Sequence, residues 1–166
     1  MIRYDYVKTR REDIQPYSQR AMGLAMAFMK LYTRVNVLLY RCSGGRLMGR
    51  FMGRYDICLV TFTGVRSGRR RDVALIHLPY GEKGEKKLLV ASQGGRDVHP
   101  VWYRSIKAHP EIEIQFRGER RAYRARQADA DEKRALWPHL LSIYPAFDEY
   151  QARTDRDIPV FVCEPC

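Results

Sequence analysis

Three short stretches of the sequence carry residue types that could do chemistry. The first is Thr63-Gly64-Val65-Arg66-Ser67-Gly68-Arg69-Arg70-Arg71. Glycines at both ends let the backbone turn and expose N–H groups. Arg66, Ser67, Arg69 and Arg71 can then surround an oxyanion with charge-assisted hydrogen bonds. The Gly-Lys-Ser/Thr ending of a Walker loop is absent, and the stretch opens onto a strand where a dinucleotide glycine motif opens a helix. On spacing alone it reads equally well as an ordinary hairpin with solvated arginines.

The second stretch is Ala91-Ser92-Gln93-Gly94-Gly95, followed by His99-Pro100-Val101-Trp102-Tyr103. A strand end with a serine and two glycines lets a planar ligand approach the backbone. Trp102 and Tyr103 at a helix start offer aromatic surface, although such residues more often anchor a core. The third is Tyr144-Pro145-Ala146-Phe147-Asp148-Glu149-Tyr150-Gln151, where Tyr144, Phe147 and Tyr150 recur every three residues. One helical face would stack them, either as core or as a wall of an acceptor pocket. Cys163-Glu164-Pro165-Cys166 has redox or metal spacing, but no second cysteine pair completes a site. His77, His99, His109 and His139 show no ligand spacing around it, so no metal is expected. Neither a Ser-His-Asp motif nor a glycosidase carboxylate pair is recognisable.

Short β-rich runs must position these residues. Strands are expected over Ile57 to Thr63, Arg71 to Tyr80, Leu88 to Ser92, Glu111 to Phe116, Arg121 to Arg126 and Ile158 to Cys163. Turns fall at Gly64–Gly68, Gly81–Gly84 and Arg117–Glu119. Helices are expected over Pro100 to Ala108, over Asp131 to Ile143 behind an Asp129 cap, and over Ala146 to Arg153. Strands joined mostly by hairpins, with helices inserted, predict a mainly β (α+β) fold built on a small antiparallel barrel. Upstream, Leu24, Phe28, Leu31, Val35 and Leu38 recur at helical spacing, which predicts an amphipathic helix from Ser18 to Tyr40 that stops at Ser43-Gly44-Gly45. Arg46, Arg50 and Arg54 follow, with Leu47, Met48, Phe51 and Met52 between them. Such a helix either packs on the domain or rests on an anionic membrane surface with its basic residues at head groups. The division expected is an N-terminal tail and helix over 1–45 and a barrel over 46–166, one domain overall.

The chain has 166 residues, long enough for one core, and its 30 Lys and Arg against 19 Asp and Glu leave a net charge of +11. That surplus points to an anionic partner. Nucleic acid is not expected, because aromatics are not interleaved with the basic residues in any recognisable motif. The start is dense in charges and tyrosines, so neither a cleavable signal nor a spanning segment is read there. A reducing cytoplasm is the default, at the inner face of the cell membrane if the helix rests on lipid.

Taken in order, these stretches identify a resemblance. Leu59-Val60-Thr61-Phe62-Thr63-Gly64, Arg66-Ser67-Gly68 and Arg71 resemble the strand and phosphate turn of the deazaflavin-dependent nitroreductase and quinone reductase family. Ala91-Ser92, Gly94-Gly95, Pro100 and Trp102-Tyr103 look like its flavin-edge segment. Trp137-Pro138, Tyr144-Pro145, Tyr150-Gln151, Thr154-Asp155-Arg156, Ile158-Pro159-Val160 and Cys163-Glu164-Pro165 match its C-terminal signature.

The resemblance implies a split antiparallel β-barrel like that of the flavin-mononucleotide oxidases, and coenzyme F420, a deazaflavin whose tail carries a phosphodiester and glutamates. It assigns Arg66, Ser67 and Arg71 to the phosphate. Val90, Ala91, Ser92 and Gln93 fall beside the ring, with Val101, Trp102, Tyr103 and Ser105 on its other side. Ser92 and Tyr144 become the candidate catalytic groups, and Tyr144, Phe147 and Tyr150 the acceptor wall. Gln93, Arg70, Ser105 and Phe147 depart from the family's commonest residues. The activity implied is hydride transfer from reduced F420 to a flat acceptor, a quinone or nitroaromatic. The alternatives are an ene-reductase acting on an enone intermediate, a flavin-mononucleotide enzyme, and a non-catalytic protein binding an anionic ligand or lipid.

Overall fold

The computed structural model describes residues 4–14, 35, 37–47 and 49–166. Eight strands form one antiparallel sheet among these residues: β1 (Arg50–Phe51), β2 (Tyr55–Thr63), β3 (Arg70–Ile76), β4 (Pro79–Tyr80), β5 (Lys86–Val90), β6 (Glu111–Phe116), β7 (Glu119–Gln127) and β8 (Val160–Pro165). The order is β1-β2-β6-β7-β8-β5-β4, and β3 pairs with the other edge of β2. One continuous segment closes the curl. Residues 70–76 pair with β2, the His77 N–H donates to Asp56 O (2.8 Å), and Leu78 O then accepts from the Leu88 N–H (2.9 Å) on β5. The single strand expected over Arg71 to Tyr80 is therefore two strands with different partners, the bend lying at His77-Leu78. The result is a split antiparallel barrel.

Period-2 alternation shows how the sequence builds two cores on that sheet. Cys58, Val60 and Phe62 of β2, Leu89 after β5's Leu88, Ile112 and Ile114 of β6, Tyr123 and Ala125 of β7, and Phe161 and Cys163 of β8 fill the barrel. Burial pushes the Cys58 thiol up to about 12 and Cys163 higher still, so both are inert hydrophobic filling. Leu88, Val90, Val160 and Val162 point outward into a second core. β5 and β8 read as unbroken apolar runs because both of their faces are covered. β7 alternates because its outer face meets water.

Three helices defined in full among the described residues pack on the sheet: α1 (Val101–Ala108), α2 (Ala130–Ile143) and α3 (Ala146–Arg153). Trp102 and Ile106 of α1 join the barrel core. Asp129 caps α2 by accepting from the Glu132 N–H at 2.8 Å, and Leu136, Trp137 and Leu140 bury its inner face over β5 and β8.

The N-terminal region meets the barrel at two places. Lys8 N–H, Thr9 N–H and the Thr9 hydroxyl donate to the buried Asp148 carboxylate on α3, which the Trp137 indole also reaches at 3.1 Å. The expected helix over 18–40 lies outside the described residues except at its end, where residues 37–42 are helical. There Tyr40, not the apolar stripe, faces the protein: its ring is buried, and its oxygen accepts from the Arg117 N–H at 2.7 Å. Val35 and Leu38 of the stripe are exposed. Within the basic stretch after Gly45, Arg50 and Phe51 are strand and residues 52–54 a turn.

Candidate active site

The Gly64–Arg71 turn joins β2 to β3. Gly64 N–H donates to Arg69 O (2.9 Å), and Gly64 O accepts from the N–H groups of Ser67 (3.2 Å) and Gly68 (2.8 Å). Ser67 Oγ and Arg71 Nε stand 2.9 and 3.2 Å from the point a Cβ would occupy on Gly64. Only a residue without a side chain lets the hydroxyl and the guanidinium converge there. Arg66, Arg69 and Arg71 are exposed, and none has a carboxylate partner among the described residues, whereas Arg70 reaches Glu113 at 3.7 Å. Charge-assisted donors left unpaired around a side-chain-free cradle suit a phosphate oxygen.

α1 is tied to this turn. The buried Ser105 hydroxyl accepts from the Val65 N–H at 3.2 Å, so Ser105 anchors the backbone of the β2–β3 turn. Trp102 is buried against the barrel core, and Val101, 79% exposed, stands on the rim. Tyr103 is half-buried, stacks on His99 with 4.3 Å between ring centres, and donates to Gln127 Oε1 at 3.1 Å.

The Ala91–Gly95 segment lies between the barrel and α3. Ala91 belongs to the barrel core, with Trp102, and Val90 to the outer core, with Tyr144 and Phe147. The two adjacent residues thus face opposite layers, and Val90 does not share a face with Ala91. Gln93 takes φ +49, and Gly94 and Gly95 follow at +67 and +76. A Cβ on Gly95 would sit 2.7 Å from Tyr150 O, so the loop rests directly on α3. Arg156 grips it from the other side, with Nη2 donating to Ala91 O (3.0 Å) and Ser92 O (2.8 Å) and Nε to Arg96 O (2.7 Å).

The aromatic stripe is mostly core. Tyr144 and Phe147 are buried in the outer cluster, Tyr144 edge-on to Tyr55 at 4.7 Å and to Phe147 at 4.9 Å. Tyr150 is half-buried, and its hydroxyl meets that of Tyr144 at 3.0 Å. Of the three, Tyr150 is the one with an open side.

Sequence reasoning gave no role to Arg156 or Asp148. Asp148 had a readable signal: it lies four residues from Tyr144 and three from Gln151, an acid on the buried face of its helix. The carbonyls that Arg156 holds are 60 to 65 residues away, and no local pattern shows them.

A split antiparallel barrel whose β2–β3 turn is rich in arginine defines a class of protein suited to an anionic ligand. The comparisons narrow that class. The family model for F420H(2)-dependent quinone reductases matches residues 32–165, and the chain belongs to that family. An F420H(2)-dependent quinone reductase of Mycobacterium tuberculosis is 32% identical over 155 residues, which cover 90% of this chain and 97% of that one. A solved F420-H2 dependent reductase, FDR-A, is 38% identical with a TM-score of 0.59, covering 65% of this chain and 93% of its own. A second solved chain, from a domain-swapped dimer, is 31% identical with a TM-score of 0.60 and covers 80% and 100%. The protein is therefore an oxidoreductase that uses coenzyme F420 and passes hydride from its reduced form to a quinone acceptor.

Proposed function

We propose that Arg66, Ser67 and Arg71 hold the phosphate of the deazaflavin tail, and that Ala91, Ser92 and Gln93 line its ring on one side. Trp102 and Tyr103 face it from α1, with Val101 at the rim, while Ser105 acts by fixing the turn and Val90 by packing beneath the loop. When bound in reduced form, the deazaflavin supplies hydride from its C5 carbon. The protein's part is to exclude water, to orient the acceptor and to move a proton. Tyr150 offers the acceptor an aromatic wall backed by Phe147. The Ser92 hydroxyl and the paired Tyr144 and Tyr150 hydroxyls are the groups available to polarise the acceptor carbonyl. The observation that carries this reading is the convergence of the Ser67 hydroxyl and the Arg71 guanidinium over Gly64, in a turn where Arg66, Arg69 and Arg71 have no carboxylate partner among the described residues. Its test is anaerobic oxidation of reduced F420 against quinones, nitroaromatics and enones. Quinones should be reduced fastest. A faster enone would make the chain an ene-reductase, and turnover with NADPH and flavin mononucleotide but not with F420 would overturn the assignment.

One further observation favours work at a lipid surface. Val35, Leu38, Leu39, Leu47 and Met52 are exposed apolar side chains on the segment that also carries Arg46, Arg50 and Arg54. Apolar and cationic side chains interleaved in this way suit an anionic membrane. No helix among the described residues is long and apolar enough to cross one. The protein should sediment with anionic vesicles and be released by salt. Sedimentation indifferent to lipid charge would remove this part of the reading.

A further inference from the structure

Arg156 forms no ion pair among the described residues and directs four donor contacts at one loop. They go to the carbonyl oxygens of Ala91, Ser92 and Arg96 and, from Nη1, to His99 Nδ1 at 3.2 Å. Burial lowers the pKa of this half-buried guanidinium, a cost that the nearby Asp97 and Asp157 carboxylates offset only in part. What it gains is geometry, since its planar fork fixes several acceptors at once.

The consequence lies on the opposite side of the same peptide groups. In a trans peptide the C=O and the following N–H point in opposite directions, and the described residues contain no cis bond. With the Ala91 and Ser92 carbonyls turned toward Arg156, the N–H groups of Ser92 and Gln93 are turned away from it. Among the described residues, neither N–H has an acceptor. Gln93, held at φ +49, is a backbone conformation that needs outside support.

We propose that Arg156 is a positioning residue for the reaction, holding the Ala91–Ser92–Gln93 peptide planes so that two free N–H donors face the bound ring system. This rests on the assignment of the segment to the deazaflavin edge. The oxygen those donors receive is a ring carbonyl, whether of the cofactor or of the quinone.

The test compares the full-length parent with Arg156→Lys, His99→Phe and Arg66→Ala. Lysine can reach one carbonyl where arginine reaches three. Phenylalanine at 99 keeps the stack on Tyr103 but removes the Nδ1 acceptor, at an exposed position that tolerates change. In the cofactor-free protein, amide hydrogen exchange over residues 91–96 should rise at least tenfold in Arg156→Lys, with the strands unchanged. Affinity for oxidised deazaflavin should stay within about threefold of the parent while kcat falls about tenfold to a hundredfold, as misplacement on the ångström scale costs. His99→Phe should shift exchange and kcat in the same direction by less, and it carries the test if Arg156→Lys does not fold. Oxidised and reduced deazaflavin titrations separate the two carbonyl sources: weakened binding of one redox form alone identifies the cofactor, and a raised quinone KM identifies the acceptor. Unchanged exchange, unchanged kcat, or a kcat restored by saturating cofactor as in Arg66→Ala each overturns the inference. A parent that does not bind deazaflavin overturns the functional reading first.

Discussion

Two arginine-rich regions differ in a way that net charge cannot show. On β7, Arg120 pairs with Glu113 at 3.9 Å, Arg124 with Glu111 at 3.0 Å, and Arg126 with both carboxylate oxygens of Glu132 at 2.6 and 2.7 Å. In the β2–β3 turn, Arg66, Arg69 and Arg71 have no such partner among the described residues, whereas Arg70 does. Among the described residues Arg121 is the one β7 arginine without a carboxylate partner, so β7 presents a mostly neutralised, solvated face. The turn leaves its charge uncompensated around a cradle that admits no side chain. Where a protein leaves cations unpaired says more about an anionic ligand than how many cations it has.

The sharpest way to break this contrast is to remove one arginine from each region. Arg66→Ala and Arg71→Ala should each weaken deazaflavin binding by about 1.5–3 kcal/mol, the range for hydrogen bonds to a charged group. Arg124→Ala on β7 should leave it unchanged. Fluorescence titration at low and high salt checks this, and the losses at the turn should shrink as salt rises. Equal losses in both regions would mean that the cofactor reads overall charge.

The sequence made much of this contrast legible. The β2–β3 turn was readable because its glycines and strand residues are local signals, and all three helices lie within a residue of where their caps and prolines put them. The acids that silence β7 were not assigned, since Glu111 and Glu113 lie across a hairpin and Glu132 on another element. The switch of partner at His77-Leu78 was hidden for the same reason: the apolar pattern from Arg71 to Tyr80 is continuous, and only tertiary pairing divides it. The faces of Val90 and Ala91 follow from period 2 only once the ladder register is known. Tyr40 was passed over because the stripe pointed to Leu38, yet the Arg117 N–H selects the tyrosine hydroxyl.

A variant away from both arginine regions tests the chemistry apart from the charge. Tyr144→Phe removes the hydroxyl bonded to Tyr150 and keeps the ring packed against Tyr55 and Phe147. Turnover should fall several-fold while deazaflavin affinity holds, as measured by stopped-flow oxidation beside equilibrium titration. Phe147→Tyr should change acceptor preference little, because that ring is buried beneath Tyr150. A large change in preference would place the acceptor deeper than the open side of Tyr150.

pH separates stability from binding in the same comparison. His77 Nε2 is buried without a partner among the described residues, its ring stacks on Phe116 at 3.6 Å, and burial together with nearby Lys87 lowers its pKa to about 4. The unfolded chain takes up that proton near pH 6.5, so stability is whole above that pH and declines as pH falls from about 6.5 toward 4. Thermal midpoints should therefore drop over this range while deazaflavin affinity of the folded protein stays flat. His77→Phe, which keeps the stack, should flatten the stability profile; a profile unchanged by that substitution would assign the acid sensitivity to another group.

The smallest effect should come from setting arginines free on β7. Glu132→Gln keeps the shape of the side chain and one of its two acceptor contacts to Arg126 while removing the charge that balances it. Exposed ion pairs contribute about 0–1 kcal/mol, so the thermal midpoint should move by a few degrees at most. The informative readout is binding. Arg126 would then be as unpaired as Arg66, on a strand with no glycine cradle and no neighbouring loop of free N–H groups. If unpaired charge alone made the site, this variant would gain a second, weaker deazaflavin site. The geometry around Gly64 requires instead that stoichiometry stay at the parent value, and a titration that shows an added site would reduce the turn to one basic patch among several.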